Sequence, residues 1–443
     1  MKNKLTKANA AFVSVTTLFF GWGFISSNND PLLTALKGIF ELSWTQALFT
    51  QIVSFLANGI VSLPAAALLN RIGTVNAILL ALATMALSCF MMQSIGQYQS
   101  YSGILAALFV MAAGITALQV AANPLIATLG PAKTSHFRLT FAQTFNSLGV
   151  VIGVHFGSKI MLSKEITSIE KNPLTGVVEH ITDPTQKLDA LSAVSHSFAL
   201  IGILILGLLL LVFLTRSTIA ASIAPNNTHG RIRVLDALKS KWAVFGAIAI
   251  GLYVGAEVSI GSIMIKFLNQ SSILNLPLEK SGEYLGNLYW GGALLGRFIG
   301  SFLLTKVRAT NLLAFAATCA AILCLIVAFS QGPLAGFSAL AVGVFNSIMF
   351  PTIFTITLEK SRVAQSSTSG LLCLAISGGA ILPYLVGTIA DKADLSLAFL
   401  VPLVAYLIIA FFAVQARTPY NYAHSTEHTN SASVSQILQN PRR

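Results

Sequence analysis

Residues 242–268 read WAVFGAIAIGLYVGAEVSIGSIMIKFL, and residues 10–36 read AAFVSVTTLFFGWGFISSNNDPLLTAL. Each is an apolar run long enough to cross a bilayer core, which takes about 20 residues of helix. Each also holds one carboxylate: Glu257 inside the later run, and Asp30 near the end of the earlier one. A charge at membrane depth costs a few kcal/mol, so such groups turn toward a water-filled interior and mark a substrate or ion path.

The rest of the chain repeats this pattern. Apolar runs fall at about 10–36, 46–69, 74–94, 101–129, 140–162, 195–215, 242–268, 284–305, 310–330, 335–358, 366–389 and 396–416, which predicts twelve spans. The runs are long and do not alternate, so they are helices rather than barrel strands. Of the 443 residues, 55% are hydrophobic and only 9% charged, against about 25% charged in a soluble domain. The formal charge of +12 does not signal nucleic acid, because no basic cluster is interleaved with aromatics.

The basic residues sort by side. Lys2, Lys4, Lys7, Arg71, Lys133, Arg138, Arg216, Arg231, Arg233, Lys239, Lys241, Lys306, Arg308, Lys360, Arg362, Arg417, Arg442 and Arg443 collect on one face, while Lys37, Lys159, Lys164, Lys171, Lys187, Lys280 and Lys392 are spread over the other. The richer face is expected to be cytoplasmic, with both termini inside and no cleavable signal peptide. Cys89, Cys319, Cys324 and Cys373 fall within spans, without metal-ligand spacing, and read as buried thiols.

The expected organisation is an all-α membrane protein with two pseudo-symmetric six-helix halves. These are residues 1–215 and 242–417, joined by a polar, basic linker at 216–241 and followed by a polar tail at 418–443. A larger acidic outer loop is expected from Lys164 to His196. Carriers built from two repeats bind substrate between them near the bilayer midplane. Between spans two and three, Ala66, Asn70, Arg71 and Gly73 match part of the major-facilitator pattern Gly-x-x-x-Asp-Arg-x-Gly. There an Arg would cap helix-end carbonyls as a conformational latch. Gly296 to Gly300, with Arg297, is the small-plus-basic counterpart in the second half, and Arg297 reads as a latch rather than a ligand.

Three sets of residues go further. The first is Phe20-Gly21-Trp22-Gly23-Phe24 running into Asn29-Asp30. The second is Leu118 to Pro124 with Arg138 to Gly149. The third is Tyr253 to Ser262, joined by Trp290-Gly291-Gly292-Ala293 and by Phe345 to Thr352. Together they resemble the fucose–galactose–hexose symporter family of the major facilitator superfamily, on its bacterial glucose/galactose side, over nearly the whole chain. The resemblance implies cation-driven hexose uptake by alternating access, in a bacterial inner membrane. It carries the family's transport Asp to Asp30 and its span-five Asn to Asn146, with Gln143 one turn before. A Glu that serves transport in the fucose symporter is Gln119 here. Glu257 stands where that symporter has Gln, and Val386 stands where the glucose/galactose branch tends to have Gln.

The residue chemistry agrees with a sugar. Vicinal hydroxyls suit side chains with two polar atoms, and a sugar ring suits an aromatic face. Gln119 and Asn123 share one face of span four, and Gln143 and Asn146 share one face of span five. Candidate substrate contacts are therefore Gln119, Asn123, Gln143, Asn146, Glu257, Asn287, Asn346, Trp22 and Trp290. Interhelical hydrogen bonding is the competing use for the amides, satisfaction of carbonyls freed by Pro124 for Asn123, and interface anchoring for the tryptophans. Asp30, Asn29 and Gln119 are the candidate coupling residues. Asp30 would bind a proton, or would ligate Na⁺ with the oxygens of Ser26, Ser27, Asn29 and Gln119. Na⁺ is favoured because Gln119 keeps an oxygen while losing a titratable group. No other cofactor is expected. The alternatives are an uncoupled facilitator, a sugar sensor, for which the tail after Arg417 is too short, and a membrane enzyme, for which no catalytic cluster is present. A monomer in the bilayer is expected.

Overall fold

A computed structural model describes residues 2–40, 42, 44–98, 100–161, 184–223, 234–392 and 394–417. Among the described residues, sixteen α-helices carry the chain back and forth twelve times. The first half comprises α1 (Lys2–Ser27), α2 (Asn29–Ile39), α3 (Trp44–Ile72), α4 (Thr74–Tyr98), α5 (Tyr101–Thr128), α6 (Ser135–Met161) and α7 (Pro184–Ser222). The second comprises α8 (Lys241–Asn269), α9 (Leu278–Tyr284), α10 (Gly291–Leu303), α11 (Ala309–Phe329), α12 (Gly332–Asn346), α13 (Met349–Lys360), α14 (Gln365–Ala375), α15 (Gly378–Lys392) and α16 (Leu400–Gln415).

Eleven helical stretches among the described residues are long and apolar enough to cross a membrane. The remaining passage, the eighth in chain order, is cut into α9, a π-helical turn at Leu285–Trp290 and α10. Three further runs that read as continuous helices are broken. The first breaks at Asn28, because Pro31 has no N–H to continue the ladder, and Asn28 folds back to donate to the Phe24 carbonyl at 2.6 Å. The tenth breaks between α12 and α13 at Ser347–Ile348, just before Pro351, and the eleventh at Ile376–Ser377, just before Gly378-Gly379.

Two connections also differ from the sequence reading. Residues 162–183 of the expected outer loop lie outside the described residues, and α7 already begins at Pro184, a residue suited to a helix start. Within the expected linker, α7 continues to Ser222 and a 3-10 helix forms at Val234–Lys239, while 224–233 lie outside the described residues. So does the tail from 418.

Lipid-facing helices have no hydrophobic drive toward one another, so close packing of small residues must join them. Helices α1 and α6 meet backbone to backbone. A Cβ on Gly149 would stand 2.2 Å from the Phe20 carbonyl oxygen, and one on Gly23 would stand 2.2 Å from that of Asn146. In the second half Gly378 sits over Gly251 of α8, and Gly343 of α12 over Tyr289. Large apolar side chains such as Phe90 and Phe329 are more than two-thirds exposed, as a surface solvated by lipid tails requires.

A Gly149→Val variant should therefore force α1 and α6 apart and lower the melting temperature in detergent by several degrees, since overpacking costs about 1–3 kcal/mol. Gly207 has open space around it, and Gly207→Ala should melt within about a degree of the unaltered protein. Equal behaviour of the two variants would refute the packing argument.

Candidate functional site

A cavity of about 260 Å³ lies between the halves, lined by Trp22, Gln119, Gln143, Asn146 and Ser147 from the first and by Tyr253, Glu257, Trp290, Arg297 and Phe350 from the second. Six of the nine candidate contacts are thus gathered in one place: Trp22, Gln119, Gln143, Asn146, Glu257 and Trp290. The glycine contact between α1 and α6 brings Trp22 and Asn146 together, and it is fastened by Asn146 Nδ2 donating to the Phe19 carbonyl at 3.1 Å. Asn146 keeps its Oδ1 for the cavity. Gln119 Oε1 is buried without a partner, so it is an acceptor in waiting.

The second half supplies charge. Tyr253 lies one helical turn before Glu257 and donates its hydroxyl to Oε1 at 2.7 Å, fixing the carboxylate at the cavity wall. Arg297 does more than a surface latch would. Its Nε donates to the Ser347 carbonyl at 2.7 Å, at the break between α12 and α13, and its Nη1 donates across the cavity to Ser147 Oγ of the other half. The π-turn adds a residue and rotates the face presented at its end. Trp290 there reaches the cavity, while Tyr289 is fully buried.

Three candidate contacts lie elsewhere. Asn346 is buried and donates to the Tyr289 hydroxyl at 3.1 Å, which itself donates to the Glu257 carbonyl at 3.3 Å. It therefore supports the Glu257 turn instead of lining the cavity. Asn287 is exposed. Asn123 is fully buried, outside the cavity lining. Of the coupling candidates, Asn29 donates to Ser54 at 3.3 Å, and Ser27 is bonded to the Phe24 carbonyl. Gln119 lines the cavity without them. The side chain of Asp30 lies outside the described residues; its backbone is in the first turn of α2.

Beyond the cavity, toward the Lys/Arg-rich end, the halves are closed on each other. Ser135 Oγ donates to Glu359 Oε1 at 2.9 Å, and His136 Nε2 lies 3.4 Å from the same oxygen. Ser366 donates to Asn70 Oδ1, and Ser369 Oγ donates to the Val120 carbonyl at 2.8 Å. In the sequence motif it is thus Asn70 that bonds across, while Arg71 is exposed. The capping of helix-end carbonyls falls to Arg138, which donates to Ile126 at 3.1 Å, to Pro131 at 2.8 Å and to Ala127.

Sequence reasoning missed Tyr253, Tyr289 and Ser147. The four-residue spacing of Tyr253 and Glu257 was a usable signal; the π-turn that seats Tyr289 was not.

Two six-helix halves with a polar cavity between them, closed on each other at one end, define a multi-pass carrier. The chain belongs to the Major Facilitator Superfamily, whose family profile matches residues 11–376, and within it to the fucose–galactose–hexose symporters. A glucose/galactose transporter of Brucella abortus is 40% identical over 91% of this chain and 93% of its own length. The L-fucose-proton symporter of Escherichia coli is 29% identical, over 91% and 92%. A solved structure of the transporter FucP in the outward conformation superposes with a TM-score of 0.80 at 27% identity, covering 92% of this chain and 99% of that one. These relatives are transporters, not enzymes.

Cysteines placed at Asn70 and Ser366 should be joined by a short bifunctional thiol reagent before the four native thiols, three of them fully buried, react. Gel mobility of a chain cut between the halves reads the link. No link would mean that this end is open in the resting protein.

Proposed function

We propose that this chain is a cation-coupled importer of glucose- or galactose-type hexoses, working by alternating access in a bacterial inner membrane with both termini cytoplasmic. The observation that carries the reading is the cavity itself: bidentate amides, a fixed carboxylate, a guanidinium and two indoles converge from both halves on one volume. An uncharged polyhydroxyl ligand suits it, because Glu257 and Arg297 offset each other and every amide offers a donor and an acceptor. The relatives' names, glucose/galactose transporter and L-fucose-proton symporter, support the substrate class.

The proton is the coupling ion in this proposal. Gln119 lines the central cavity, whose lining includes neither Ser27 nor Asn29, which weakens the reading that the Glu-to-Gln119 exchange favours. Asp30 and Glu257 are the carboxylates able to carry a proton. A charged, empty carboxylate disfavours occlusion and a neutralised one permits it, so sugar and proton cross together. In the state described here the Lys/Arg-rich end is closed, which corresponds to a cavity open outward.

Proteoliposomes given an imposed pH gradient should accumulate labelled D-glucose, and a Na⁺ gradient at clamped pH should not drive it. Na⁺-driven accumulation would restore the sodium reading, and uptake that never exceeds equilibrium would make the protein a facilitator. Asp30→Asn should lose accumulation but keep exchange. Glu257→Gln should raise the half-saturating sugar concentration about tenfold or more, as expected for loss of a charge-assisted hydrogen bond of about 1.5–3 kcal/mol. Full active uptake by Asp30→Asn would exclude Asp30 from coupling.

A further inference from the structure

Asn123 is out of place in the closed end of the molecule. It is fully buried, yet neither Oδ1 nor Nδ2 has a hydrogen-bond partner of ordinary geometry; its amide engages the Cys373 thiol of α14, a weak hydrogen-bonding group. An unpartnered buried amide destabilises the state that contains it and calls for a reason. The obvious structural reason is already filled. Pro124 cannot donate to the carbonyl four residues earlier, and that carbonyl, of Val120, is satisfied by Ser369 of the other half at 2.8 Å.

The position of Asn123 supplies another reason. On α5, Gln119 lines the central cavity. Pro124, Leu125 and Thr128 line a second one of about 580 Å³, shared with Asn70 and Ser366. Ala121 also lines the second, and Asn123, lining neither, sits on the stretch of α5 that runs from one volume to the other. It is displaced from Gln119 by about 6 Å along the helix, roughly the width of a hexose ring. Helix α14 packs there against α5 and α3. Ser369 of α14 bonds to the Val120 backbone oxygen of α5, and the neighbouring Gly370 packs against Ala66 of α3, where a Cβ would stand 2.6 Å from the alanine's own. Parting α14 from α5 uncovers the Asn123 amide with both polar atoms unused.

We infer that Asn123 is the sugar's second ligand, a hydroxyl-binding group engaged only after the Lys/Arg-rich end opens, and the residue to which Gln119 passes the substrate. This rests on the reading of the central cavity as the hexose site. The unpartnered amide also favours departure from the closed state, because opening is what satisfies it.

The test uses the full-length protein in oriented vesicles and a series of monodeoxy-D-glucoses, with half-saturation measured separately at each face. For the unaltered protein, removal of one particular hydroxyl should weaken inner-face binding about tenfold. In Asn123→Ala that position should become indifferent at the inner face, while the outer-face profile stays within twofold at every position. A conformational bias alone would scale all the sugars equally, and an inner-face profile unchanged by the substitution overturns the inference. Cys373→Ala should leave both profiles intact, and its reproducing the Asn123→Ala result would assign the effect to an Asn123–Cys373 contact instead. Should Asn123→Ala not fold, Asn123→Ser should show the same selective loss in weaker form, and an unchanged profile there is equally fatal. Failure of the unaltered protein to move any hexose would defeat the cavity reading itself, a separate result from symmetric behaviour of the variant.

Discussion

Hydrocarbon offers no hydrogen bonds, and the architecture follows from that constraint. Every polar group at membrane depth must find a partner inside the protein or border a space that holds water or substrate. The helices can satisfy this only if they pack closely, and α1 and α6 do so through glycines that leave no room for a Cβ. Their contact places Trp22 and Asn146 side by side. The amides left over after helix packing then have one place to go, the volume between the halves.

The two halves meet this constraint differently. The first half lines the cavity with neutral groups on continuous helices: Gln119 on α5, and Gln143, Asn146 and Ser147 on α6. The second lines it with Glu257 and Arg297, and its helices are interrupted around them, by the π-turn before α10 and the break between α12 and α13. The break between α12 and α13 frees the Ser347 carbonyl, which accepts from Arg297, and the π-turn seats Tyr289 so that its hydroxyl donates to the Glu257 carbonyl of α8. The breaks are therefore bound to the cavity chemistry, and a ligand that draws Arg297 away from Ser147 or Ser347 acts directly on elements able to bend.

The sequence made the architecture legible because apolar length and the Lys/Arg asymmetry are one-dimensional signals. Twelve passages were readable, and so was the pairing of Gln143 with Asn146 on one face. What stayed hidden depends on phase and partners. Continuous apolar runs conceal the breaks at Asn28, Ser347 and Ile376, since hydropathy does not register where a ladder of hydrogen bonds stops, although Pro31 and Pro351 mark two of those places in retrospect. Asn346 and Asn287 read as equals of Asn146 by composition. Only the coordinates show one locked to Tyr289 and the other exposed. The latch motif pointed to Arg71 for carbonyl capping, a geometry that Arg138 adopts after a turn through Gly130, whose φ of +125° few other residues would accept.

Closure at the Lys/Arg-rich end is made of few and replaceable bonds. Ser135, Ser366 and Ser369 each give one hydroxyl across the divide, and His136 adds a bond to Thr355 at 2.5 Å. A hydroxyl bond to a neutral group, as from Ser366 and Ser369, contributes about 1 kcal/mol net, because water offers nearly the same when the surfaces part, and the one from Ser135 to the Glu359 carboxylate contributes about 1.5–3 kcal/mol. Such a seal excludes solvent without committing the protein to one state. Large charged networks would hold this end shut more firmly than a ligand's differential binding energy could reverse. Asn123 fits the same logic from the opposite side: an amide kept unsatisfied behind a weak seal narrows the gap between the closed state and the open one.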